Sequence, residues 1–147
     1  MDILTLGILR ATSACERHLN LINKRHNGME QRTFTTSHGD EITILNPLGR
    51  LDITTAWNFR LKLQESISPA SPHTLVNLSE VNFIDSSGLT SLVAGMRDAD
   101  KIGGTFRICN VHPEAKLVFE VTMMDSVFEI YETEEEALAA PYKQAVA

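Results

Sequence analysis

The stretch Leu75-Val76-Asn77-Leu78-Ser79-Glu80-Val81-Asn82-Phe83-Ile84-Asp85-Ser86-Ser87-Gly88-Leu89 carries the chain from a short apolar run, through a polar cluster, into a helix. Residues 75–78 have the length and character of a buried strand. Leu89, Leu92, Val93, Met96 and Ala99 recur at helical spacing and set a helix over residues 87–102. Between the two, Asp85-Ser86-Ser87-Gly88 falls where a loop becomes a helix N-terminus. A serine hydroxyl there lies beside unpaired backbone N–H groups and the positive end of the helix dipole, a natural seat for a phosphate. Ser, Asp and Gly ahead of an apolar periodic run are also what any capped helix shows, so spacing alone supports both readings.

Working outward, Arg32-Thr33-Phe34-Thr35-Thr36 and Glu41-Ile42-Thr43-Ile44-Leu45 are β-branched runs on either side of Ser37-His38-Gly39-Asp40, a hairpin pattern that places two antiparallel strands first. Thr54 or Thr55 can cap a helix over residues 56–67, whose stripe is Ala56, Phe59, Leu63 and Ile67, and which Pro69 and Pro72 end. Gly103-Gly104 supplies a left-handed C-cap for the central helix. Residues 105–109 alternate as a strand, Pro113 opens a third helix carrying Ala115, Val118 and Phe119, residues 127–131 form the last strand, and Thr133 caps a final helix through Ala139. Strands alternating with helices imply an α/β domain: a mixed, mostly parallel sheet of roughly four to five strands with about four helices and right-handed crossovers. In such a sheet functional groups gather outside the carboxyl ends of the strands. Residues 79–85, read as a loop leaving the strand at that end, present Ser86 there. Asn46-Pro47 falls near a strand end, and the missing proline N–H confines that strand to an edge or a bulge.

At 147 residues, 43% hydrophobic and 22% charged, the chain fits one globular domain with its own core. The net charge of -6 is C-terminal: residues 111–147 hold Lys116 and Lys143 against eight acids, and the rest is balanced. The run Glu134-Glu135-Glu136 reads as a solvated first helical turn, where carboxylates suit the dipole. With no basic patch or Lys/Arg stripe, direct nucleic-acid binding has no electrostatic basis. No run of about 18 apolar residues provides a membrane span. The start, Met1-Asp2-Ile3-Leu4-Thr5-Leu6-Gly7-Ile8-Leu9-Arg10, is apolar but lacks a basic n-region and a small-residue cleavage site, which excludes secretion. Cys15 and Cys109 follow no metal or redox spacing and read as reduced thiols, in keeping with a cytoplasmic location. Residues 1–28 form a leader: a short helix, a disordered arm, or the product of a start codon assigned too far upstream.

An exposed serine at a strand-to-helix turn also serves nucleophilic hydrolases, which need a small residue two positions before it and a base. Ile84 holds that position for Ser86 and Asp85 for Ser87, and no histidine falls in a suggestive motif. His18, His26, His38, His73 and His112 lack metal-ligand spacing and read as surface or cap residues. With no Walker or GxGxxG motif either, no metal, cofactor or catalytic residue is expected. Gly88, in the first turn of a helix, is best used to let another backbone approach closely, so alanine there is expected to keep the fold and weaken partner binding. Trp57 and Leu61, four apart, lie to one side of the Ala56-Phe59-Leu63-Ile67 stripe; if that stripe faces the sheet, the pair can form a partner-binding patch.

Gly49-Arg50-Leu51-Asp52, the stretch from Leu75 to Leu89, and Ile102-Gly103-Gly104 with a strand and Pro113 after it run in order over residues 32–140. In these elements the sequence resembles the STAS-domain family, specifically the bacterial anti-sigma-factor antagonists, and the resemblance implies a single STAS domain over residues 29–147. In the family the phosphorylated residue directly follows the motif aspartate, which maps onto Ser86, with Ser87 the second choice. By the same resemblance Asp85 helps hold the partner and the adjacent serine, Asp52 is a second acidic contact, and Ser87 and Gly88 complete the partner-binding surface; capping is the plain alternative for both aspartates. The implied function is partner switching: binding a serine kinase or anti-sigma factor when unphosphorylated, release on phosphorylation, and reset by a PP2C-type phosphatase, with no catalysis by the domain itself. The alternative is a non-phosphorylated STAS binding subunit of a membrane transport or signalling complex.

Overall fold

The β-branched runs flanking residues 37–40 pair as a hairpin, and the sheet grows from its second strand. The structure, a computed structural model, describes residues 29–142. β1 (Met29–Thr35) runs antiparallel to β2 (Glu41–Pro47), with Phe34 opposite Ile42, and Gly39 at φ 90° makes the turn. β3 (Gly49–Leu51) and β5 (Val81–Ile84) form a separate two-stranded parallel sheet. β4 (His73–Asn77), β6 (Thr105–Cys109) and β7 (Glu129–Tyr131) complete the main sheet in the order β1-β2-β4-β6-β7, all parallel from β2 onward. This is the mixed, mostly parallel sheet the sequence implies. The β3–β5 pair corrects the reading of residues 79–85 as a loop. Val81 and Ile84 are buried while Asn82 and Phe83 between them are exposed, a pattern without strict alternation that hides a short strand.

Among the described residues four α-helices cover the sheet: α1 (Ala56–Ser66), α2 (Ser86–Lys101), α3 (Pro113–Val121) and α4 (Glu134–Ala139). On one face Leu45, Val76 and Ile108 meet Phe59 and Leu63 of α1, Leu92 and Ala99 of α2, and Phe119 of α3. On the other, Ile42, Ile44, Leu75 and Cys109 lie under Ala137 of α4. β4 and β6 are buried along their whole length, as strands covered on both faces are. α2 ends as its glycines require: Gly103 takes φ 71°, its N–H donates to the Asp100 carbonyl (3.1 Å), and Gly104 N–H reaches back to the Ala99 carbonyl (2.8 Å).

Three expectations are corrected. β2 is an interior strand, and Pro47 is tolerated because the pairing of β2 with β4 has already ended at Leu45–Val76; Pro47 faces only Met29 of β1. His73 is a buried residue of β4 whose ring contacts that of Tyr142 (centroids 5.0 Å), and burial lowers its pKa against the pull of Asp40. Glu134 is buried, not solvated. Its carboxylate accepts from both terminal nitrogens of Arg32 (3.0 and 2.7 Å) and from Asn77 Nδ2 (2.7 Å), while Arg32 also donates to Asn46 Oδ1 (2.8 Å). At the far end of α4, Arg107 donates to the carbonyls of Ala137 (2.8 Å), Ala140 (2.9 Å) and Pro141, and pairs with Glu129 (2.9 Å). The short helix is thus held by a guanidinium at each end. Beneath it burial, with Glu134 adding to the effect, pushes the Cys109 thiol up to about 12, so it stays protonated at neutral pH. Cys15, His18, His26 and the leader lie outside the described residues.

Candidate functional site

β3 and β5 end side by side, and the loops that leave them carry the acidic and serine residues. Asp85 N–H donates to the Leu51 carbonyl (3.1 Å), which brings the two loops into register. Asp85 is the N-cap of α2: Oδ1 accepts from the N–H groups of Ser87 (2.8 Å) and Gly88 (3.1 Å). Its Oδ2 accepts from the N–H of Ile53 (3.2 Å) in the β3–α1 loop. One carboxylate therefore caps the helix and ties the neighbouring loop to it. This corrects the picture of an open phosphate seat, because Asp85 already occupies two of the free N–H groups at the helix start. Ser86, the first residue of α2, is exposed; Ser87 is half-buried.

Asp52 is buried at the end of β3. Oδ2 accepts from Arg50 Nε (2.8 Å), and Oδ1 accepts from the Thr54 hydroxyl (2.5 Å) and the Thr54 N–H (3.0 Å), forming an Asx turn. These bonds, Thr54 foremost and Arg50 next, hold its carboxyl well below the usual range, so Asp52 is negatively charged at neutral pH. Thr55 occupies the N-cap position of α1 without capping it. Its hydroxyl donates to the Arg50 carbonyl (2.7 Å) and accepts from Asp52 N–H (3.0 Å), closing the turn on itself. Asp52's own link to the helix is its backbone carbonyl, which takes Ala56 N–H (2.8 Å).

Phe59 and Leu63 of α1 are buried, and Trp57 stands 70% exposed on the other side of the helix, with Leu61 one turn on. Ile53 is 77% exposed and Phe83 41%, so large apolar side chains project from both sides of the Asp85 tie. Gly88 differs from its expected use. It is buried, and a Cβ there would lie 2.9 Å from the carbonyl carbon of Leu51 and nearer still to its oxygen. The backbone that approaches it is the chain's own β3.

Sequence reasoning gave Arg50 and Phe83 no role. The Arg50 guanidinium sits 4.1 Å from the Phe83 ring centroid while bonded to Asp52, a pairing set by the opposition of those residues in the β3–β5 register. The available signal was the β-branched and aromatic content of residues 81–84. Elsewhere at this end of the sheet, His112 Nε2 lies 2.8 Å from the Ser79 carbonyl. Among the described residues no group of three or more His, Cys, Asp or Glu side chains is placed to hold a metal ion, and no helix is long and apolar enough to cross a membrane.

The family model described as the STAS domain matches residues 33–137. The anti-sigma F factor antagonist of Paenibacillus polymyxa is 26% identical over 102 residues, covering 69% of this chain and 87% of that protein. Among solved structures, an anti-sigma-factor antagonist (STAS) domain protein from Planctomyces limnophilus is 28% identical with a TM-score of 0.58, covering 74% of this chain and 94% of its own. The Bacillus cell fate determinant SpoIIAA in its phosphorylated form shares the fold, with 24% identity and a TM-score of 0.55 over 74% of this chain and 96% of that one. Anti-sigma factor antagonists are regulatory binding proteins rather than enzymes. The β3–β5 site, the sheet order and a family match that spans both loops of the site lead to one conclusion: this chain belongs to the STAS-domain family.

Proposed function

We propose that the chain is an anti-sigma-factor antagonist that works by partner switching, with Ser86 as the residue a partner kinase phosphorylates and Ser87 as a neighbour that is not. The observation that carries this reading is the exposure of Ser86 next to Asp85, whose carboxylate ties the helix start to the loop after Asp52, with Ile53 of that loop, Trp57 of α1 and Phe83 of β5 exposed as well. When the hydroxyl is neutral, an anti-sigma factor or serine kinase docks over the acidic pair and the apolar side chains, and its other client is freed. Phosphorylation adds roughly 1.5 to 2 negative charges. The N–H groups of Ser87 and Gly88 already bond Asp85, so the helix dipole tolerates the new charge without burying it in hydrogen bonds, and the charge stays exposed to oppose the partner. A PP2C-type phosphatase would reset the switch. That the Bacillus relative exists in a phosphorylated form supports phosphorylation as the signal proposed here.

The test is a set of serine variants with the co-purifying kinase. Ser86→Asp should leave melting nearly unchanged, because a carboxylate at a helix start is favoured by about 0.3 to 1 kcal/mol. It should weaken partner binding by at least roughly tenfold, about 1.4 kcal/mol. Ser86→Ala should bind at near wild-type strength and resist release when ATP is supplied; Ser87→Ala should still take label. Label that persists in Ser86→Ala and vanishes in Ser87→Ala would move the acceptor to Ser87. No label on either serine would replace the switch with a constitutive binding subunit.

A further inference from the structure

We propose that the cavity between the β1–β2 hairpin and the C-terminal end of α4 binds a small organic cation with an apolar body. The proposal is independent of the partner-switching reading, since this cavity lies at the opposite end of the sheet: Asp40 immediately precedes β2, whereas the serine cluster follows strand carboxyl ends. Its volume is about 740 Å³, inside the range of roughly 300 to 1,000 Å³ usual for small-molecule sites. Phe34 of β1 and Leu138, Pro141 and Tyr142 at the end of α4 make an apolar wall with an aromatic ring from each side.

The Tyr142 wall is fixed before any ligand arrives. Its hydroxyl donates to the Leu138 carbonyl (2.9 Å), and its ring lies 4.2 Å from the Arg107 guanidinium and 5.0 Å, centroid to centroid, from the His73 ring. The carboxylates of Asp40 and Glu135 line the cavity, His38 is the single basic side chain among its described lining residues, and no lysine or arginine is one of them. Arg107, on Tyr142, is matched by Glu129 and spends its terminal nitrogens on backbone carbonyls. Two carboxylates beside aromatic faces attract a cation twice, by charge and by ring quadrupole, and repel an anion of the same shape.

The test is an amide-resolved NMR titration of the full chain with phenethylamine, and with 2-phenylethanol and 3-phenylpropionate as neutral and anionic analogues. Phenethylamine should move the Phe34, Asp40, Leu138 and Tyr142 amides and saturate at about 1 to 10 mM, as suits so small a molecule. 3-Phenylpropionate should bind at least about tenfold more weakly, a difference of about 1.4 kcal/mol. Asp40→Asn with Glu135→Gln should weaken phenethylamine by roughly fivefold and leave 2-phenylethanol unchanged. Ala139→Trp, at an exposed position on the cavity wall, should abolish both. Equal binding of all three compounds, shifts confined to other residues, or no shift from phenethylamine up to about 20 mM would each overturn the proposal.

Discussion

Alanine at position 88 would drive a Cβ into the Leu51 carbonyl, and backbone cannot step aside as a side chain can. Helix propensity favours that alanine by about 0.5 to 1 kcal/mol, while overpacking costs roughly 1 to 3 kcal/mol. Gly88→Ala should therefore lower the melting temperature by several degrees, and thermal denaturation that showed a rise would contradict the packing. The sequence exposed the need for a small residue here but not what presses on it, because Leu51 is remote along the chain. Asp52 makes a second prediction at this scale. Its folded pKa lies below the unfolded value of 3.8, so its stabilisation is complete above that value and is lost as pH falls through the acid range toward the folded pKa. Between about pH 5 and pH 3 the melting temperature of Asp52→Asn should fall less steeply than that of the parent chain, with differential scanning calorimetry as the measure. Parallel curves would mean that the Thr54 and Arg50 bonds do not persist in solution.

At the scale of elements, the hairpin, α2 and the Thr133 cap of α4 were legible because each is specified by neighbours in sequence: Gly39 in a turn, Leu89-Leu92-Met96 at helical spacing, Thr133 immediately before the helix, its side chain accepting from the Glu136 N–H. β3 and β5 were not, since neither is long enough to show a period and each exists only through the other. The same limit hid the true place of Glu134. A helix-start glutamate reads as solvated until Arg32, from the other end of the chain, is laid beneath it. Arg32→Met would leave that carboxylate buried without its counter-ion and should cost roughly 3 to 5 kcal/mol in denaturant unfolding. Adding Glu134→Leu should recover part of the loss, limited by Asn46 and Asn77, which each lose a partner worth about 1 to 3 kcal/mol. A double variant less stable than Arg32→Met alone would show that the ion pair is not the main tie.

For the whole molecule, the described residues from Met29 onward supply packing on both faces of the sheet, and the family match falls inside the same limits. A chain beginning at Met29 should melt within about 3 °C of the full-length protein, and a much larger loss would show that residues 1–28 pack on the core. The position of the serine cluster was legible at this scale because a parallel sheet collects functional groups at one end. Its electrostatics were not, for they depend on Asp85 reaching across to Ile53 and on Arg50 lying against Phe83. The strand order also has a kinetic side. Among the described strands of the main sheet, β1 and β2 alone are joined by a tight turn; every other pairing, including that of the consecutive strands β6 and β7, closes across an intervening helix. The β3–β5 contact, which brings Asp52 and Asp85 together, closes across the whole of α1 and β4. A nascent chain that has not yet delivered Asp85 therefore cannot display the assembled surface, and a partner that read it would pass over every chain in which β5 has not joined β3.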